Sequence, residues 1–136
     1  MIGATYGVAK SVNLIGVKVL RDDGKGTVNT AINGISWALQ RISATGRPGV
    51  LSMSLGTIGI SRSMNDAIKG ATDAGVFFSA ASGNRNTNAC NSSPGSSNAM
   101  VVGATDVNDR RAGYSNLGGC LDIFAPGSGI WSACKW

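Results

Sequence analysis

The stretch Val76-Phe77-Phe78-Ser79-Ala80-Ala81-Ser82-Gly83-Asn84 constrains this chain more than any other. Its first half is a short apolar run, the pattern of a strand buried on both faces of a parallel sheet. Its second half collapses to small residues, which let another backbone approach closely. In open α/β sheets, ligands bind at the carboxyl ends of the strands. Asn84 therefore stands at the rim where chemistry is expected and offers an amide donor there. Asn is also a favoured turn residue, and the strand by itself leaves both readings open.

The flanking sequence supplies helices and further strands. From Val28 to about Thr45 the residues Ile32, Ile35, Leu39 and Ile42 recur at helical spacing, and Gly46-Arg47-Pro48-Gly49 ends the run with helix-stop and turn chemistry. A second amphipathic helix is predicted over 61–74, with Met64, Ala67, Ile68 and Ala71 on one face and Gly75 as its stop. Strands are predicted over 12–20, 50–55 and 100–104, and at the start of 121–127. This order predicts an α/β fold, a parallel sheet flanked by helices with right-handed crossovers. The segments 85–99 and 106–119 are polar loops. Loops longer than about 12 residues in compact domains are usually functional or disordered.

Composition narrows the function classes. A chain of 136 residues, 43% hydrophobic and 14% charged, makes one domain with a core of its own. No apolar run reaches the roughly 18 residues of a membrane span, and no basic-then-apolar leader opens the sequence, so no membrane partner is expected. The net charge of +5 is diffuse. Its longest basic run is Arg110-Arg111, without interleaved aromatics, so it implies a solvated surface and no nucleic-acid partner. A nucleotide-binding domain is tested by Gly24-Lys25, which follows a predicted strand and precedes a helix. A phosphate-binding loop needs Gly five positions before such a pair and Ser or Thr directly after it. Val19 and Gly26 occupy those positions, and the match fails. Three Cys, at 90, 120 and 134, form no Cys-x-x-Cys pattern, and with no His a zinc site is not expected. Two separated Cys in loop-like sequence fit a disulfide and an oxidising compartment, leaving one over. The sequon Asn91-Ser92-Ser93 agrees with a secreted surface loop.

Four ordered motifs, covering nearly the whole chain, carry a family resemblance. They are Tyr6-Gly7-Val8-Ala9-Lys10 with Gly16-Val17-Lys18-Val19-Leu20, then Ser52-Met53-Ser54-Leu55-Gly56, then Ala80-Ala81-Ser82-Gly83-Asn84. The fourth is Asp109-Arg110-Arg111 with Tyr114-Ser115-Asn116 and Leu121-Asp122-Ile123-Phe124-Ala125-Pro126-Gly127. Together they resemble the subtilisin-like serine endopeptidases, in the proteinase K and aqualysin branch. The resemblance implies the three-layer α/β/α form of the fold, incomplete here. The resemblance implies that Asn84 is the oxyanion-hole side chain, stabilising the negative charge that forms on a peptide carbonyl under attack. It implies that Ser54, Leu55 and Gly56 are one wall of the primary specificity pocket and Ala81, Ser82 and Gly83 the other. Gly24, Gly26 and Val28 would belong to a second substrate-flanking segment, although as bare sequence these are also plain tight turns. The implied partners are extended polypeptides, held by strand pairing. The resemblance also pairs Cys90 with Cys120, leaving Cys134 odd, and places a structural calcium at Asp122 with carbonyls near Ser97 and Ala99. An Asp at a strand end is equally a hydrogen-bonding residue. No cofactor is required for the chemistry.

Family chemistry needs a Ser nucleophile, a His base and an Asp that orients the His. This chain contains no His, and no Ser lies in the family's nucleophile motif. Residues 1–136 are therefore expected to be the central part of a single peptidase domain lacking both ends. The resemblance then implies a secreted enzyme, monomeric when complete, and this chain alone is expected to be inactive. The alternative is a truncated, non-catalytic module that holds peptides in the remaining groove.

Overall fold

In the computed structural model the described residues are 2–132, so Cys134 lies outside them. The sheet has four strands, β1 (Val50–Met53), β2 (Phe77–Ala81), β3 (Met100–Thr105) and β4 (Ile123–Pro126), in the spatial order β1-β2-β3-β4. All three pairings are parallel, in the registers Leu51 with Phe78, Ala80 with Val101, and Gly103 with Phe124. The helices are α1 (Val28–Thr45) and α2 (Arg62–Asp73).

Each helix begins and ends where local chemistry dictates. Thr27 caps α1 by accepting the Thr30 N–H at 3.1 Å, and Gly46 ends the helix in the left-handed conformation at φ 61°. Ser61 caps α2 by accepting the Met64 N–H at 3.3 Å. Apolar stripes then bring both helices to the same face of the sheet. Ala31 and Ile35 of α1, Met64, Ile68 and Ala71 of α2, and Met53, Phe78 and Ala80 of the strands form one buried cluster. Removing this apolar area from water is the main stabilising term of the fold. Strand register turns Val50, Phe77, Met100 and Ile123 to the opposite face, where all four are exposed. Among the described residues, no helix is long and apolar enough to cross a membrane.

One predicted element is corrected. Segment 12–20 forms no strand. Its Val17 and Val19 methyls lie against Gly34 of α1, while Val12, Leu14 and Ile15 are exposed. A β-branched run favours extended backbone, but a strand exists only where a second strand satisfies its N–H and C=O groups. Among the described residues β1 is the edge of the four-stranded sheet, where its ladder is with β2, and segment 12–20 is not one of the sheet's strands.

Candidate active-site cleft

The cleft arises because two neighbouring strands part at their carboxyl ends. β1 and β2 pair as far as Met53 and Ala80. Beyond that point β2 stays with β3, Ala81 opposite Val102 and the Ser82 N–H donating to the Val102 carbonyl at 2.9 Å. The chain after β1 turns the other way, and the Thr57 N–H donates to the Ser93 carbonyl at 2.8 Å. Between the diverging walls is a cleft of about 270 Å³. Ser54, Leu55 and Gly56 line one side and Ala81, Ser82, Gly83 and Asn84 the other, with Ser93 and Pro94 completing the lining. The six wall residues and the amide singled out from sequence are thus brought together.

Gly56 is held tightly here, since a Cβ on it would meet the Ser93 carbonyl oxygen at 2.7 Å. Asn84 is exposed, and its side chain has no hydrogen-bond partner among the described residues. Among the described residues Arg85 is the one charged residue lining the cleft, and no carboxylate lines it.

Gly24, Gly26 and Val28 are not among the cleft residues. The two glycines are exposed in the turn before α1, and Val28 is half-buried against the core cluster. In that turn the Arg21 guanidinium and the Lys25 N–H hold the Asp23 carboxyl below its ordinary range.

Cys90 and Cys120 are joined by a disulfide across 30 residues, with their Cα atoms 5.2 Å apart. The bridge ties the loop after β2 to the segment before β4. Asp122 uses Oδ2 to accept the Val101 N–H at 2.7 Å, and its own N–H donates to the Val101 carbonyl at 2.9 Å. Asp122 thereby extends the β3–β4 ladder by one residue. Ser97 Oγ accepts the Ala99 N–H at 3.2 Å. Among the described residues no group of three or more His, Cys, Asp or Glu is placed to hold a metal ion. Calcium takes 6–8 oxygens, so an ion held by Asp122 and by carbonyls near Ser97 and Ala99 would draw its remaining ligands from water.

Sequence reasoning gave no site role to Asn116, which also lines the cleft and is buried. Its Oδ1 accepts the N–H groups of Arg85 at 3.0 Å and Thr87 at 3.1 Å, and its Nδ2 donates to the Ser82 carbonyl at 2.8 Å. An Asn after Tyr114-Ser115 carries no sequence signal for this, because its partners lie about thirty residues away. A second groove, of about 600 Å³, lies between the C-terminal half of α1 and Ala74 and Val76. It is mostly apolar, and no titratable group lines it.

Comparison with known proteins agrees with this geometry. The Subtilase family matches residues 2–136. Among curated proteins, the chain is 44% identical over 138 residues to the subtilisin-like serine protease Pen ch 18 of Penicillium rubens, covering 96% of this chain and 28% of that protein. It is 45% identical over 132 residues to alkaline serine exoprotease A of Vibrio alginolyticus, covering 96% of this chain and 24% of that one. The chain thus spans about a quarter of the length of these relatives. A solved cold-adapted subtilisin-like serine proteinase superposes with a TM-score of 0.91 at 46% identity, over 96% of this chain and 47% of the other. A parallel sheet whose parting strands frame an amide-lined cleft, together with a family match from residue 2 to residue 136, places the chain in the subtilase family.

Proposed function

We propose that this chain is the substrate-holding and oxyanion-stabilising part of a secreted serine endopeptidase. The observation that carries the proposal is the Asn84 amide, exposed, without a hydrogen-bond partner among the described residues, and lining the same cleft as Ser54, Leu55 and Gly56. An extended peptide would lie along the cleft, with its main chain paired to the wall segments and one side chain between them. Attack on its carbonyl carbon moves an electron pair onto oxygen. A donor already aimed there stabilises that charge without reorganising during the reaction. The proton-transfer groups come from elsewhere, because the chain has no His to serve as general base. Small walls at Gly56, Ala81 and Gly83 suit a large apolar side chain. The chemistry needs no cofactor. A calcium ion at Asp122 would act on stability alone, with water completing its shell. The disulfide fits secretion into an oxidising compartment.

The absence of His also favours a second reading, in which the chain binds peptides without cleaving them. One experiment separates the two. This chain replaces the matching segment of the Vibrio alginolyticus protease, and the chimera and the bare chain are assayed on a peptide substrate. The endopeptidase reading expects turnover by the chimera and none above a buffer blank by the bare chain. A chimera that folds and binds peptide without cleaving it supports the binding module.

A further inference from the structure

We infer that Asn116 is the positioning residue that sets Asn84 at the cleft, through hydrogen bonds to backbone groups on both sides of it. The inference rests on the reading of Asn84 given above and adds what holds that residue in place.

Asn84 follows Gly83, whose φ of 103° is open only to glycine at little cost. It precedes Asn86, a non-glycine residue at φ 53°. A segment in this conformation needs fixing from outside itself. Part of the fixing is a backbone zipper. The Asn116 N–H donates to Gly83 at 3.0 Å, Asn86 donates to Tyr114 at 2.9 Å and Leu117 donates to Thr87 at 3.0 Å. The Asn116 side chain does something the zipper cannot. Its Nδ2 holds the Ser82 carbonyl while its Oδ1 holds the Arg85 N–H, so one amide bridges residues 82 and 85. Gly83 and Asn84 are the two residues spanned by that bridge. The fit is close, since a Cβ on Gly83 would meet Asn116 Nδ2 at 2.6 Å. Glycine at 83 thus serves both the backbone angle and the approach of the bridging amide. The Asn84 side chain takes no part in this bridge and has no hydrogen-bond partner among the described residues.

The test uses the chain itself, by nitrogen-15 relaxation and amide hydrogen exchange, and does not depend on proteolysis. In the native chain the Asn84 amides are expected to be rigid, with order parameters near ~0.85. Values below ~0.6 there overturn the inference whatever the variants do. In Asn116→Ala, protection of the Arg85 and Thr87 amides is expected to fall by about tenfold or more. Asn84 becomes mobile, while strand amides such as those of Val101 and Gly103 keep their protection. Equal order at Asn84 in native chain and variant overturns it. Asn116→Asp is the second variant, should the alanine variant not fold. While ionised, the introduced carboxyl still accepts from Arg85 and Thr87 but turns a second acceptor toward the Ser82 carbonyl, so the bridge is broken on that side; once protonated it donates there as the amide does. Asn84 is therefore expected to be mobile while that carboxyl is ionised and to regain order as pH falls through its titration, and order at Asn84 that does not change with pH in that variant overturns the bridge. Failure of the endopeptidase reading shows separately, as an Asn84→Ala chimera that turns over peptide at the native rate.

Discussion

Asp122 shows how one side chain supports two readings until its partners are known. As sequence, an Asp at a strand end is both an oxygen ligand and a hydrogen-bond acceptor. Its Oδ2 is occupied by the buried Val101 N–H at 2.7 Å. Asp122→Ala should therefore lose about 1–3 kcal/mol, the usual consequence of stranding a buried donor. Denaturant unfolding measures it, and the loss is expected in chelator as well as in calcium, because a hydrogen bond needs no ion. Stabilisation of the native chain by added calcium, absent from the variant, is what a metal role would add. Asn84 and Asn116 divide along the same line. The place of Asn84 at the cleft rim was legible because it follows a strand with its own signature, whereas Asn116 reaches the same cleft through contacts to residues 82, 85 and 87 that spacing does not encode.

At the scale of elements, both helices were legible because their signals are local. A polar cap, an apolar stripe and a glycine stop lie within one run of sequence, and α1 starts at Val28 as its pattern predicts. The strands of the sheet were legible for a second reason: each is a short apolar run bounded by turn residues. Segment 12–20 shows the limit, since its composition states a preference and only a partner makes a strand. The loop after β2 is the opposite case. Its polarity suggests freedom, yet it carries a short 3-10 helix at Ala89–Asn91 and is pinned by the Cys90–Cys120 bridge. A bridge closing 30 residues is expected to contribute about 3–4 kcal/mol by restricting the unfolded chain. Replacing both Cys by Ser should lower the unfolding free energy by about that much, read as a lower denaturant midpoint with a slope that is equal or steeper, because the unfolded chain is no longer cross-linked. An unchanged midpoint would mean that the hydrogen bonds between 86–89 and 114–117 hold the loop unaided.

At the scale of the molecule, the fold places its chemistry where two parallel strands separate. Each wall is held from outside the cleft, β2 by β3 and the chain after β1 by Ser93. Both helices cover one face of the sheet and leave Val50, Phe77, Met100 and Ile123 exposed on the other. The α/β class was legible from the order of elements. Which face the helices cover depends on packing and was not. The proposed role of the Asn84 amide, meeting the charge of a reaction intermediate, is tested by kcat and KM for the Asn84→Ala chimera against the chimera with Asn84 intact. With the amide removed, kcat is expected to fall by about 10²–10³ with KM little changed, as for a donor used only in the transition state. An unchanged kcat, or a loss carried wholly by KM, would contradict it.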